Sequence, residues 1–280
     1  MNTYRAVPRQ IEYLANLPGM AASATPQNPL TVNRRIHAIY LANYESGTLA
    51  APTAAKMPLI QVFVNGKVWV QATPVQLIAY STFLGITPAT GIIPIYMSNP
   101  RIENPRISEM SSWDLFGQKS AAIKITWGAS ASTPSINMAV EFDDLRNTRK
   151  VNGVDTLFSA PRRLVSLTLP ALGSGEVDMQ AIPVDEPIHK MLFNVSANAI
   201  SRIDVKADTL FVGSYLAALN TANLAAYGYA AGAFDFPLCW DYPDNYIKGG
   251  EIACGSINVH AATTGALTPT LLLETRGPGF

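Results

Sequence analysis

The sequence predicts an all-β protein of two tandem β-sandwiches, each carrying one short helix. The first observation behind this is an internal repeat. Ile60, Val62, Gly85, Pro94 and Pro100 recur as Ile203, Val205, Gly228, Pro237 and Pro243, each displaced by 143 positions. Upstream the displacement is 152 or 153: Pro8-Arg9 answers to Pro161-Arg162, Leu17-Pro18 to Leu169-Pro170, and Ile36-His37 to Ile188-His189. Downstream it falls to 134 or 135, with Ile123 answering to Ile257 and Thr133-Pro134 to Thr268-Pro269. A displacement that shrinks in steps while order is kept is what a duplicated domain gives when its second copy has shorter loops. The second observation is a succession of short apolar, β-branched runs separated by Pro- and Gly-rich turns, without the alternating helices of a doubly wound sheet. The third is length: 280 residues suit two domains. The boundary is placed in the polar stretch 147–158, which contains Asn152-Gly153, giving domains 1–150 and 151–280.

The clearest local signal is a hairpin. Leu59 to Val64 is apolar and β-branched, Asn65-Gly66 suits the two positive φ angles of a type I′ turn, and Lys67 to Val70 returns. A helix follows over Thr73–Leu84. Thr73 is its cap, Pro74 suits its first position, Gln76 completes a capping box and Gly85 ends it. Leu77, Ile78, Ser81 and Leu84 then share one face. The second copy repeats this plan with strands at Ile203–Val205 and Leu210–Val212, a cap at Ser214, and a helix over about 215–227 that ends before Gly228. Further strands are expected at 36–41, 92–97, 122–127, 136–142, 164–169, 177–182, 189–195, 236–240, 256–260 and 270–274. Gln10 to Leu17 reads as one or two helical turns.

Composition narrows the function classes. Hydrophobic residues make up 48% and charged ones 14%, so both halves can bury a core. Twenty Lys and Arg balance twenty Asp and Glu, leaving no global field that draws the chain to nucleic acid. A surface so poor in charge suits a protein packed into an assembly. Cys239 and Cys254 have neither metal-ligand spacing nor a disulfide framework, and are expected to be reduced and buried. The first twenty residues include Arg5, Arg9 and Glu12 where a signal peptide needs an unbroken apolar run, so folding in a cytoplasm is expected. The uncharged stretch Leu210–Phe234 is long enough to span a bilayer, but Ser214, Asn220, Thr221 and Asn223 and its strand-plus-helix counterpart in the first half argue against a span.

Catalytic constellations are missing. The three histidines, His37, His189 and His260, fall on predicted strands, and the first two are repeat equivalents, which favours packing over general-base chemistry. There is no nucleophile elbow, phosphate-binding loop, dinucleotide fingerprint or His-Glu-x-x-His motif. Carboxylates cluster at Asp143-Asp144 and at Asp235, Asp241 and Asp244; paired acids serve glycoside hydrolysis or calcium, yet loop acids are commonly solvated turn formers. Trp69, Trp113, Trp127 and Trp240 offer a sugar platform or, more economically, core. The expectation is no catalytic residue, no cofactor and no metal.

Two successive β-domains, each with strand, tight turn, strand, capped helix and a Pro-containing strand, resemble the double jelly-roll major capsid proteins of tailless icosahedral viruses. Within that lineage the size is most similar to the corticovirus-type proteins of membrane-containing bacteriophages. The run Val62-Phe-Val-Asn65-Gly66-Lys-Val68 with the helix after Thr73 carries most of the likeness; the segment from Arg162-Arg163 through Gly173-Ser-Gly175 to Pro183 and Ile188, and the end at Gly277 to Phe280, carry the rest. The resemblance implies a homotrimer whose six jelly rolls approximate a hexagon. It implies a place in the virion after synthesis in the host cytoplasm, and as partners neighbouring capsomers, minor capsid or membrane proteins and an internal viral membrane. It implies no direct sequence-specific binding of nucleic acid.

Nine basic residues gather at predicted domain edges: Arg5, Arg9, Arg34, Arg35, Arg146, Arg149, Lys150, Arg162 and Arg163. Duplication sets Arg5 and Arg9 against Arg162 and Arg163, so these four are the expected membrane-facing set, against the plainer reading of solvated loop charge. A reading from another class is a two-domain β-sandwich glycan hydrolase or carbohydrate-binding protein, because paired jelly rolls also occur in glycan-processing enzymes.

Overall fold

The computed structural model describes residues 9–98, 100, 111–146, 148–151, 154–157, 160–179, 181–195, 199–240 and 252–277. Two compact units divide the chain: unit 1 spans Met1–Ser81, Thr87–Arg162 and Pro278–Phe280, and unit 2 spans Thr82–Ile86 and Arg163–Gly277.

Unit 1 is built from β1 (Gln10–Leu14), β2 (Gln27–Leu30), β3 (Arg35–Glu45), β4 (Thr48–Leu49), β5 (Leu59–Val64), β6 (Lys67–Ala72), α1 (Pro74–Phe83), β7 (Ile92–Tyr96), β8 (Trp113–Asp114), β9 (Ala121–Thr126) and β10 (Pro134–Asp143), followed by the hairpin β11 (Thr148–Val151) and β12 (Val154–Leu157). One sheet runs β1-β10-β3-β7, with β4 and β8 also on β3; the other runs β2-β9-β5-β6. All these pairings are antiparallel. The alternation that predicts half-buried strands is present. Ile60, Val62 and Val64 are buried on β5 and pair in register with Ile125, Ile123 and Ala121. On the other sheet Ile39 and Leu41 pair with Val140 and Met138, all buried.

Unit 2 contains β13 (Arg162–Thr168), β14 (Gly175–Asp178), β15 (Ile182–Pro183), β16 (Ile188–Val195), β17 (Ile200–Ala207), β18 (Leu210–Leu216), α2 (Ala217–Ala226), a 3₁₀ turn at Ala231–Ala233, β19 (Phe236–Cys239), β20 (Ser256–Thr263) and β21 (Pro269–Arg276). Its sheets run β13-β21-β16-β19 and β14-β20-β17-β18, with β15 also on β20. Ile203, Val205, Val259 and Ala261 from the second sheet share one core cluster with Met191, Phe193, Leu271 and Leu273 from the first.

The two strand orders are the same. Replacing β1, β2, β3, β5, β6, β7, β9 and β10 by β13, β14, β16, β17, β18, β19, β20 and β21 turns one unit's sheets into the other's. Every sequence match within described strands respects this exchange: Ile36-His37 and Ile188-His189 lie on β3 and β16, Pro94 and Pro237 on β7 and β19, and Pro134 and Pro269 open β10 and β21. Two four-stranded antiparallel sheets face to face with crossing connections make each unit a jelly roll.

Several local expectations differ from the structure. Gln10–Leu14 is an edge strand, not a helical turn, with β10 supplying its hydrogen bonds. Ser214 does not cap a helix; β18 continues through Leu216, and the Ser214 hydroxyl bonds to Asp204 across the hairpin. The run 177–182 is two strands on β20, because the register slips by one residue between Asp178↔His260 and Ile182↔Ile257. Cys254 lies outside the strands and is half-buried, whereas Cys239 is buried on β19; neither forms a disulfide. Residues 210–234 form β18, α2 and the 3₁₀ turn, and no helix among the described residues is long and apolar enough to cross a membrane.

Candidate functional site

The turn and cap residues stand at the β5–α1 junction of unit 1. Asn65 and Gly66 have φ of 50° and 81°, the pair of positive values that a type I′ turn needs. Asn65 also accepts N–H bonds from Lys119 and Ser120 at 3.0 and 3.2 Å, so one side chain ties the hairpin tip to a neighbouring loop. Thr73 Oγ1 accepts the Gln76 N–H at 3.2 Å, and Gln76 Oε1 accepts the Thr73 N–H at 3.0 Å, a reciprocal capping box. Pro74 opens α1 where its missing N–H is harmless. Gly85 and Gly228 follow the two helices with φ of 80° and 75°, left-handed positions that glycine fills without a Cβ clash.

Three of the four arginines expected to face lipid have partners within the protein. Arg162 is 1% exposed: Nη1 donates to the carbonyls of Tyr96 and Ser98 at 3.2 and 3.4 Å, and the guanidinium lies 5.6 Å from the Tyr80 ring centroid. A buried, carbonyl-bound guanidinium cannot touch headgroups, so its membrane-facing assignment is withdrawn. Arg163, next along the strand and on the opposite face, is half-buried with Nη1 3.8 Å from Glu186. Arg9 pairs with Glu141 at 2.8 Å, and Arg34 with Glu12 at 2.6 Å while its guanidinium covers the Phe142 ring. Arg5 lies outside the described residues.

Each unit buries a cluster of charges on the sheet that holds its equivalent histidine. In unit 1, Asp143 accepts from Arg35 Nε at 3.0 Å and Nη2 at 2.5 Å, and its Oδ2 lies 2.8 Å from His37 Nε2. Burial pushes the Asp143 carboxyl up, but hydrogen bonds from His37 and Arg35 outweigh it and hold the pKa at about 2. In unit 2, Glu274 accepts Lys190 Nζ at 2.8 Å on one oxygen and Arg276 Nη2 at 2.9 Å on the other. Sequence reasoning missed both clusters. Strand spacing reveals which residues share a face, whereas charges from distant strands meet only through the register of β3 with β10 and of β16 with β21.

None of these groups is arranged for chemistry. Of the acidic clusters, Asp143 is committed to Arg35 and His37, Asp144 is exposed, Asp235 accepts the Val195 N–H at 2.8 Å, and Asp241 and Asp244 lie outside the described residues. Among the described residues no group of three or more His, Cys, Asp or Glu is placed to hold a metal ion. Burial, then the Asp208 charge, pushes the Cys254 thiol up and away from the reactive thiolate. All four tryptophans are buried, so they offer no sugar platform. What unit 1 does present is an apolar groove of about 300 Å³ on the outward face of the β1-β10-β3-β7 sheet, lined by Tyr13, Tyr40, Tyr44, Ile92 and Ala139 among others. Burial and the Glu141 carboxylate raise the Tyr40 phenol, which stays protonated and donates to Glu141 Oε2 at 3.4 Å.

The family model of the viral coat protein P2 N-terminal domain matches residues 11–143, from the second residue of β1 to the last of β10. Among solved structures, the chain is similar to the major capsid protein P2 from bacteriophage PM2, at 15% identity over 97% of this chain and 100% of that one, with a TM-score of 0.74. The major capsid protein of Sulfolobus turreted icosahedral virus follows at 12% identity over 95% and 96%, TM-score 0.62. The PBCV-1 virus capsid matches at 8% identity over 99% and 95%, TM-score 0.55. At such identities these likenesses speak to fold, and they span both units. No curated protein matches the chain in sequence. Residues 11–143 thus match the model of a viral coat protein P2 N-terminal domain, and both units together have the double jelly-roll fold of the viral capsid proteins to which the chain is similar.

Proposed function

We propose that this protein is the major capsid protein of an icosahedral virus with an internal membrane, and that three copies form a pseudo-hexagonal capsomer. The observation that carries the reading is the identity of strand order in the two units. A chain that supplies two alike building blocks lets a threefold oligomer present six similar faces, which suits a lattice position with six neighbours. Function is then geometry, and the buried charge clusters serve rigidity. The partners are other copies, neighbouring capsomers and minor capsid or membrane proteins. Contact with the internal membrane falls to surfaces other than Arg162. The test is light scattering of the purified protein with electron microscopy. A mass three times the 30.1 kDa chain and hexagonal outlines are expected, and a monomer at every concentration overturns the reading.

A further inference from the structure

Because the two units share a topology, their surfaces can be matched strand by strand, and two pairs of surfaces differ. The first pair is the outward face of the sheet carrying the equivalent histidines. In unit 2, β16 and β21 send Met191, Phe193, Leu271 and Leu273 into the core, yet the residues between them, Lys190, Leu192, Leu272 and Glu274, are also buried. This sheet is closed on both faces. In unit 1 the same face is open. Counting three residues on from His37 and His189, Tyr40 answers to Leu192, and each pairs with the equivalent proline, Pro94 or Pro237. Leu192 is 1% exposed, whereas Tyr40 is half-buried in the groove, beside Tyr13 at 77% exposure.

The second pair is the last strand of the other sheet with the helix that follows, and here the contrast reverses. In unit 1, the part of α1 through Ser81 buries Gln76, Leu77, Tyr80 and Ser81. In unit 2, α2 buries only Asn220 and Leu224. Its Leu219 is 68% exposed, and Leu210, Phe211 and Leu216 on β18 are exposed as well. Each unit therefore leaves open the surface whose counterpart the other has closed. A sandwich face left to water is ordinarily polar, but these two carry Tyr, Ile, Phe and Leu, and neither β18 nor α2 contains a charged residue. In addition, β1 and β18 are sheet edges, each hydrogen-bonded to one strand among the described elements, and an apolar edge is a ready template for another chain.

We infer that the tyrosine groove and β1 edge of unit 1 receive the β18–α2 surface of unit 2 from a second copy of this chain. The two patches lie on different units, so the contact is heterologous and repeats head to tail, closing into a ring when the rotation permits. This rests on the capsomer reading and names its contact. Leu216 bears the mark of such a role. It occupies the N-cap of α2 and makes no side-chain cap bond, where Ser, Thr, Asp or Asn is favoured. A local helix signal has been given up at a position where an exposed leucine has a use.

Two double variants test it: Ile11→Asp/Tyr13→Asp in the groove edge, and Leu216→Asp/Leu219→Asp on the other patch. All four positions are exposed, and an Asp at 216 is a competent cap, so loss of association is separable from loss of fold by circular dichroism and melting. Should either Asp pair fail to fold, Tyr13→Ser and Leu219→Ser replace them. By light scattering the wild type is expected as a trimer and each double variant as a monomer. An equimolar mixture of the two should form a heterodimer, at least tenfold more than either variant alone, because one intact groove then meets one intact β18–α2 patch. Folded variants that both stay trimeric, or that yield no heterodimer on mixing, overturn this contact while leaving the capsomer standing. A wild-type monomer overturns both.

Discussion

The two units have the same strand order but keep different residues at matched places. Inward-facing positions are conserved in character, Ile60 and Val62 against Ile203 and Val205, because each must fill a sandwich core. Outward positions diverge: Tyr40 against Leu192, and capped α1 against uncapped α2. Topology is held by the inner faces, while the outer faces, which fill no core, are free to differ between the units. Even the buried charges follow this rule. Both units place a carboxylate between two nitrogen-bearing side chains on the sheet of the equivalent histidine, but unit 1 uses Asp143 with Arg35 and His37, and unit 2 uses Glu274 with Lys190 and Arg276.

The sharpest way to break that comparison is to remove one partner from each cluster. Glu274→Gln leaves Lys190 and Arg276 buried without their countercharge, and truncating one member of a buried pair costs about 3–5 kcal/mol. Asp143→Asn should cost a similar amount in unit 1. Replacing Lys190 and Glu274 together by Met should restore most of the loss, since an apolar pair of similar volume avoids desolvating either charge. Urea unfolding of the single and double variants measures this. A Glu274→Gln cost below about 1 kcal/mol would show that the unit 2 cluster is poorly formed.

Acid provides the next largest effect. The folded-state pKa of Asp143 is depressed to about 2 from an ordinary 3.8. Its contribution is therefore fully present above the ordinary value and is lost as pH falls through the folded one, a span worth about 2 kcal/mol. Stability measured from pH 5 to pH 2 should decline more steeply in wild type than in Asp143→Asn. Parallel slopes would mean that the cluster does not hold Asp143 ionised.

The repeat made much of the fold legible, because residues such as Ile60/Ile203 and Pro94/Pro237 sit at strand positions the duplicated topology cannot change. It could not reveal orientation. Gln10–Leu14 has Ile11 and Leu14 three apart, a helical spacing, yet it is an edge strand whose exposed apolar residues Ile11 and Tyr13 face outward. Period alone does not say which side is wet. The Arg162-Arg163 pair failed for a related reason: neighbours on a strand point to opposite faces, so one arginine went inside to meet the carbonyls of Tyr96 and Ser98. Short strands such as β2, which contains Pro29, are hidden in turn-like composition, since an edge tolerates proline. The tyrosine groove had no sequence signal, because Tyr13, Tyr40, Tyr44 and Ile92 come together only when the four strands β1, β10, β3 and β7 are paired.

The helix caps give a smaller and reciprocal effect. Thr73→Ala removes one half of the capping box and should cost about 1 kcal/mol. At the matched junction of unit 2 the sign reverses: Leu216→Asp adds a cap and should stabilise the isolated chain by up to about 1 kcal/mol, even as it removes an apolar side chain from the contact we infer between copies. Thermal melts at concentrations where both proteins are monomeric separate the two consequences. An unchanged midpoint for Thr73→Ala would mean that water replaces its hydroxyl at no cost.

The smallest effect belongs to a histidine with no counterpart in unit 1. His260 on β20 lies 2.8 Å from Asp178 through Nδ1 and 2.9 Å from Glu176 through Nε2, with Arg202 also on Glu176 at 2.8 Å. The bond to Asp178 raises its pKa above the ordinary 6.5; burial opposes this, and the bond to Glu176 and the two carboxylate charges add to the rise. A raised folded-state value means that the added stability is complete below the ordinary pKa and is lost as pH rises through the folded one. The group is exposed, so solvent and salt screen most of the interaction. Wild type should melt slightly higher at pH 6 than at pH 9 relative to His260→Ala, and 1 M salt should narrow that gap. Buried His37, joined to an Asp143 that Arg35 already neutralises, should respond less to salt, because screening ions cannot enter its site. A salt response at His37→Ala as large as that at His260→Ala would contradict the division between an inner face that fixes the fold and an outer face open to solvent.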